Sequence, residues 1–135
     1  MTKQVLSVSD VMAKELHTLR RDTPILDAVD FLLKHRVSGA PVVTADMELV
    51  GIISERDCLK LLAEGVDCQI PMGDVSQFMT RDVYSIHADM DVYFAAGLFL
   101  QRPFRRFPVV EDGELVGQVS RRDILTAIKR LLPGS

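Results

Sequence analysis

Several things are scarce or missing in this chain. Its two cysteines, Cys58 and Cys68, lack Cys-x-x-Cys spacing and have no histidine close by. Neither a disulfide framework nor a zinc finger follows from them, and they read as reduced thiols of a cytoplasmic protein. No apolar run approaches the ~18 residues that announce a membrane span. The opening Met1-Thr2-Lys3-Gln4-Val5-Leu6-Ser7 has no long apolar block of the secretory kind. A basic surplus is absent too: 16 Lys+Arg oppose 19 Asp+Glu, a net charge of −3. General nucleic-acid binding is therefore not expected. His17, His35 and His87 are scattered without metal-ligand spacing, and no Ser/His/Asp or Cys/His arrangement can be read. The chain reads as neither a metalloprotein nor a nucleophilic enzyme.

What is present is a repeat. Met12 matches Met79, Thr18 matches Ser85, Ala28 matches Ala95, and Pro41-Val42-Val43 matches Pro108-Val109-Val110, each 67 positions on. The offset then falls to 66: Gly51 matches Gly117, Ser54 matches Ser120, Asp57 matches Asp123. The lost residue falls in a turn, Thr44–Glu48 against Glu111–Glu114, where solvated loops tolerate indels. The 135 residues, 47% hydrophobic and 26% charged, divide into residues 1–67 and 68–135, with a linker over about 65–77 that carries Pro71 and Gly73. A copy of this size is marginal alone, so the copies are expected to pack on each other.

Each copy reads β-α-β-β-α. An extended segment, Leu16–Leu19 or Val83–Ile86, precedes an amphipathic helix. The first helix, Asp27–His35, has an apolar face of Ala28, Val29, Phe31, Leu32 and Leu33; the second, Asp91–Gln101, has Val92, Ala95, Ala96, Leu98, Phe99 and Leu100. Asp22-Thr23-Pro24 and Asp89-Met90-Asp91 suit helix starts, and Pro103 stops the second helix. Ala40–Val43 with Leu49–Ile53, and Phe107–Val110 with Leu115–Val119, are β-branched strand pairs. A last helix starts at Glu55 or Arg121, the latter with a stripe of Ile124, Leu125, Ile128, Leu131 and Leu132. The fold class is α/β (α+β).

The chemistry concentrates in Gly51-Ile52-Ile53-Ser54-Glu55-Arg56-Asp57 and Gly117-Gln118-Val119-Ser120-Arg121-Arg122-Asp123. Both run from a strand into a helix N-terminus, where free N–H groups favour an anion. The Ser can bond a phosphate or ribose oxygen, and the Asp can accept from two ribose hydroxyls. The same spacing is also a capping box, in which Ser caps and Asp reaches back. Both readings stand on sequence alone. Arg102, Arg105, Arg106, Arg121 and Arg122 crowd one window without lysine. They suit phosphate or, equally, a solvated surface.

The doubled Gly-h-h-Ser-x-x-Asp pattern, with Val37-Ser38-Gly39-Ala40-Pro41-Val42-Val43 and its counterpart, resembles a tandem pair of cystathionine-β-synthase-type (CBS) domains, a Bateman module. The resemblance covers about Val8 to Leu131. It implies a pseudo-twofold pair of β-α-β-β-α units packed sheet to sheet, often assembled as a homodimer. It also implies a regulatory, non-enzymatic function. An adenosine-containing ligand (AMP, ADP, ATP, S-adenosylmethionine or an NAD derivative, alone or with Mg2+) binds in the cleft between copies, and an effector protein is signalled in trans. A ligand-free dimerisation scaffold is the alternative, and a nucleotide hydrolase a more distant one. Carried over by position, Asp57 and Asp123 hold ribose, and Ser54 and Ser120 contact phosphate or ribose. Arg105, Arg106 and Arg122 face phosphates. Thr18, Val83 and Ser85, with Ala40, Pro41, Phe107 and Pro108, enclose adenine. Ala13 departs from the family's usual Thr or Ser, which Thr80 keeps, and Gln118 places an amide in an apolar strand.

Overall fold

The computed structural model describes residues 6–64 and 73–132. In chain order it contains α1 (Val8–Val11), β1 (Leu19–Arg20), α2 (Ile25–His35), β2 (Gly39–Val43), β3 (Leu49–Ser54) and α3 (Glu55–Glu64). There follow α4 (Val75–Phe78), β4 (Ile86–His87), α5 (Val92–Gln101), β5 (Arg106–Glu111), β6 (Glu114–Ser120) and α6 (Arg121–Leu131). The mixed α/β class and all four long strands match the sequence reading to within one residue per end. Helix α2 starts two residues earlier, at Ile25, behind Pro24. Cys68, Pro71 and Met72 lie outside the described residues.

The chain forms two compact units, and they cut across the repeats. A central unit holds His17–Val83; a second unit joins Met1–Leu16 to Tyr84–Ser135. Each leader thus packs with the other copy's strands. Two short helices missed from sequence make this exchange. In α1, Ser7 and Asp10 form a capping box, and Val8 is fully buried with Ile86, Val92 and Phe107. In α4, Asp74 and Gln77 do the same, and Val75 is fully buried with Leu19, Ile25 and Val42. Part of the expected linker is therefore a structural turn of the central unit. The signal was in the sequence: Ser7/Asp10 and Asp74/Gln77 repeat the box spacing 67 positions apart.

Each unit has a three-stranded sheet. β1 pairs parallel with β2 and β2 antiparallel with β3; β4, β5 and β6 repeat this. The leaders add one bridge to each outer edge, Thr80 to Ile52 and Ala13 to Gln118. This close approach explains why Gly51 and Gly117 recur. A Cβ on Gly51 would stand 2.6 Å from Met79 Sδ, and one on Gly117 2.4 Å from Met12 Sδ. The indel also has a local cause. Asp112 and Gly113 both take positive φ in the tight β5–β6 turn, as a two-residue hairpin needs. The β2–β3 turn instead closes through Thr44 and Glu48.

The helix faces differ from expectation in places. Ala28, Leu32, Ala95, Leu98 and Phe99 are buried, but Leu33, Leu100 and Leu125 are 68%, 90% and 69% exposed. Helix α2 ends at Arg36 in the left-handed region, with Val37 N–H donating to the Leu32 carbonyl. Helix α5 ends at Gln101, two residues before Pro103.

Candidate functional site

Sheet register gathers the candidate residues at one end of each sheet. In the central unit Gly39 pairs with Ser54 and Ala40 with Ile53, and Ser54 leads directly into α3. In the other unit Arg106 pairs with Ser120 and Phe107 with Val119, and Ser120 is the N-cap of α6. The parallel pairs Leu19–Val42 and Ile86–Val109 bring the chain just before β1 and β4 to the same end. Thr18 thereby comes beside Pro41, and Ser85 beside Pro108.

The capping reading is satisfied in both copies. Ser54 N–H donates to Asp57 Oδ2 at 2.9 Å, and Asp57 N–H to Ser54 Oγ at 3.1 Å. Ser120 N–H donates to Asp123 Oδ2 at 2.8 Å, and Asp123 N–H to Ser120 Oγ at 3.1 Å. Capping does not exhaust these side chains. Among the described residues, nothing donates to Oδ1 of either aspartate, and all four residues are only half-buried. The copies differ in one bond: the Ser54 hydroxyl donates to Asp57 Oδ2 at 2.8 Å, whereas Ser120 Oγ only accepts among the described residues.

The arginines belong to the Asp123 copy. Arg105 and Arg106 are exposed, and Arg106 stands across the ladder from Ser120. The Arg105 carbonyl accepts from Arg121 N–H at 3.1 Å, just as the Ser38 carbonyl accepts from Glu55 N–H at 2.8 Å in the central unit. Arg121 Nε donates to the Phe104 carbonyl at 3.2 Å, which holds that side chain near the strand entry. Arg122 is exposed in the first turn of α6. The central unit has no such cations at Ser38 and Gly39, so the two sites differ in charge.

The apolar candidates divide. Ala40, Pro41, Phe107 and Pro108 are buried, so their side chains form the floor of the sheet end rather than an open wall. The Phe107 ring packs on Phe99 at 4.4 Å and Tyr84 at 5.4 Å between centroids. Thr18, Val83 and Ser85 are half-buried. Val83 closes the central unit, and Ser85 belongs to the other.

Two features escaped the sequence reading. Arg102 lies over the Tyr84 ring, 3.8 Å from its centroid. His17 and His35, scattered in sequence, stack at 4.0 Å with 25° between planes. Among the described residues no group of three or more His, Cys, Asp or Glu could hold a metal. Cys58, on the buried side of α3, has no disulfide partner among the described residues. Burial raises its thiol pKa first, helped by the Asp57 and Glu55 charges, so little thiolate forms near neutrality. Among the described residues, no helix is long and apolar enough to cross a membrane.

The family model for the CBS domain matches residues 8–64 and 75–130. The chain belongs to the CBS-domain family. Its CBS pair is similar to CBSX2 of Arabidopsis thaliana, whose crystal structure is in complex with AMP: 30% identity, TM-score 0.78, 93% of this chain and 97% of that one. The CBS domain pair of protein MJ0100, in complex with 5′-methylthioadenosine and S-adenosyl-L-methionine, shares 29% identity at TM-score 0.75, over 94% of this chain and 98% of that one. An A-adding tRNA nucleotidyltransferase of Aquifex aeolicus is 35% identical over 92% of this chain. The chain spans only 14% of that relative's length.

Proposed function

We propose that this CBS pair is a regulatory module that binds an adenosine-containing nucleotide and signals in trans to a partner protein. The observation that carries this reading is the twice-built Ser/Asp box at a helix mouth, half-buried, with one carboxylate oxygen per copy that receives no donor among the described residues. That oxygen is available to ribose hydroxyls. Ser54 and Ser120 supply hydroxyls beside it, and Arg105, Arg106 and Arg122 give the Asp123 copy a phosphate preference. The AMP-bound and S-adenosylmethionine-bound relatives support this ligand class. Mg2+ enters only as the companion of a polyphosphate. The ligand acts through its differential affinity for two packings of the module. Function is regulatory rather than catalytic, in the cytoplasm, as a homodimer. Exposed Phe94, Leu100 and Leu125 on α5 and α6 offer the apolar surface for a second copy.

Thermal melts with AMP, ADP, ATP, NAD and S-adenosylmethionine test this. A ligand at 100 times its dissociation constant is expected to add about 2.7 kcal/mol. Asp57→Ala and Asp123→Ala should each also lower ligand-free stability, because each removes the N3 carboxylate that accepts from the Ser54 or Ser120 N–H in its capping box. Asp57→Asn and Asp123→Asn keep an acceptor for the cap amide, so they isolate the ribose contact. An undiminished ligand increment in both Asn variants defeats the ribose assignment. Flat melts with every nucleotide, alongside a dimer in light scattering, favour the scaffold function, in which the boxes serve only as caps. A monomer in light scattering removes the homodimer.

A further inference from the structure

The offset of 67 that relates the copies relates His17 to Tyr84 and His35 to Arg102. The two stacked pairs therefore occupy one position in two units. In each, the residue two positions ahead of the first strand lies against the last residue of the following helix, His35, or its C-cap, Arg102. In one unit the pair is Arg102 over Tyr84 at 3.8 Å; in the central unit it is His35 on His17 at 4.0 Å. Phe31 backs both imidazoles, at 4.5 Å from His35 and 6.3 Å from His17. Leu19 pairs with Val42, so His17, two residues earlier, comes level with Ala40, next to the Gly39–Ser54 pair. The stack borders the residues assigned above to the central unit's ligand site.

The chemistry of the two pairs differs in one respect. Arginine stays cationic at every relevant pH, and a cation on a tyrosine face is attractive. Two imidazoles stack well only while at most one carries charge, and histidine titrates near ~6.5. We propose that the His17–His35 stack is a proton-operated clasp on the central unit's ligand site: the rings hold the chain entering β1 against the end of α2 until both are protonated, and their mutual repulsion then releases it, while the Tyr84–Arg102 clasp of the other unit ignores pH. The ligand-site half of this statement rests on the function proposed above; the clasp itself does not.

The surroundings favour release. Desolvation lowers the His35 pKa first, followed by the His17 and Lys34 charges. Helices α3 and α4 also pack on α2. Of their ionisable groups, neither Glu55, Arg56, Asp57 and Lys60 on α3 nor Asp74 at the cap of α4 contributes to that shift. Among the described residues, no carboxylate is among the groups that shift His35. A histidine with a lowered folded-state pKa contributes stability that is complete above the unfolded value and lost as pH falls through the folded one. The clasp is closed above about pH 6.5 and opens below it.

The test transplants one clasp onto the other. Wild type, the double variant His17→Tyr/His35→Arg and the single variant His35→Gln are compared by NMR titration of the imidazole signals and by melts from pH 8 to 5. The expected result is a His35 midpoint below the ordinary histidine value. The wild-type melting temperature should fall toward pH 5 by more than that of either variant. AMP affinity, read in an Asp123→Ala background to leave the central site, should weaken on acidification in the chain that keeps both histidines. The double variant should stay flat. A His35 midpoint at or above the ordinary value, or equal acid sensitivity in wild type and both variants, overturns the clasp. If AMP fails to bind at any pH, the ligand reading falls and the gating half with it, while titration and melts still decide the clasp.

Discussion

Phe107→Ala is expected to lower the stability of its unit by about 3–5 kcal/mol, the usual cost of deleting a fully buried phenylalanine side chain. Phe107 is 0% exposed. Its ring meets Phe99, Tyr84 and Phe104 at centroid distances of 4.4, 5.4 and 6.0 Å. Such pairs add about 0.5–1.5 kcal/mol each beyond the area they bury. A domain of this size has only about 5–15 kcal/mol in total, so the loss is a large part of it. The central unit carries Ala40 at the matching position, 1% exposed among Leu19, Leu32 and Ile53. The two cores are thus filled differently on one backbone, and Ala40→Phe should overpack by about 1–3 kcal/mol. Chemical denaturation measures both. A Phe107→Ala cost under about 1 kcal/mol would mean that the ring is not enclosed as described. Because Phe107 sits beside Arg106, which faces Ser120, the variant should also blunt any adenylate response of the Asp123 copy.

The second large effect concerns the leaders. Val8→Asp is expected to destabilise the strands of the second repeat, not those of the first repeat to which Val8 belongs in sequence. Val8 is 0% exposed in a core with Ile86, Val92 and Val119, and its N–H donates to the Met90 carbonyl at 2.7 Å. A buried, unpaired carboxylate is not tolerated, but the leader can peel away rather than hold it. The cost is therefore capped near the docking energy, of which the burial of Val8 alone supplies about 1.5–3 kcal/mol. Hydrogen exchange locates the damage. Amides of Arg106–Glu111 and Glu114–Ser120 should lose protection, while Gly39–Val43 and Leu49–Ser54 keep more of theirs. Val75→Asp should produce the mirror result, since Val75 is buried with Leu19 and Val42. Loss confined to Gly39–Ser54 in the Val8 variant would refute the exchange.

Much of the molecule is determined by local physics and so was readable from the chain. The strands β2, β3, β5 and β6 announce themselves through β-branched runs, and α3 and α6 through the boxes Ser54/Asp57 and Ser120/Asp123. The matched glycines Gly51 and Gly117, and the matched methionines Met12 and Met79, mark a contact whose cause appears only when sulfur meets backbone at 3 Å or less from where a Cβ would sit. Apolar faces were legible in register but not in extent. Leu33, Leu100 and Leu125 extend the stripes outward because periodicity counts apolar residues and cannot see which neighbour covers them.

Tertiary structure alone decided the leader exchange, the gathering of Thr18, Pro41 and Ser54 at one sheet end, and the two stacked pairs. Each joins residues distant in the chain through sheet pairing, and no local propensity encodes that. His17 and His35 looked scattered because 18 positions separate them in sequence. The Leu19–Val42 ladder and the packed helix α2 bring their rings to 4.0 Å.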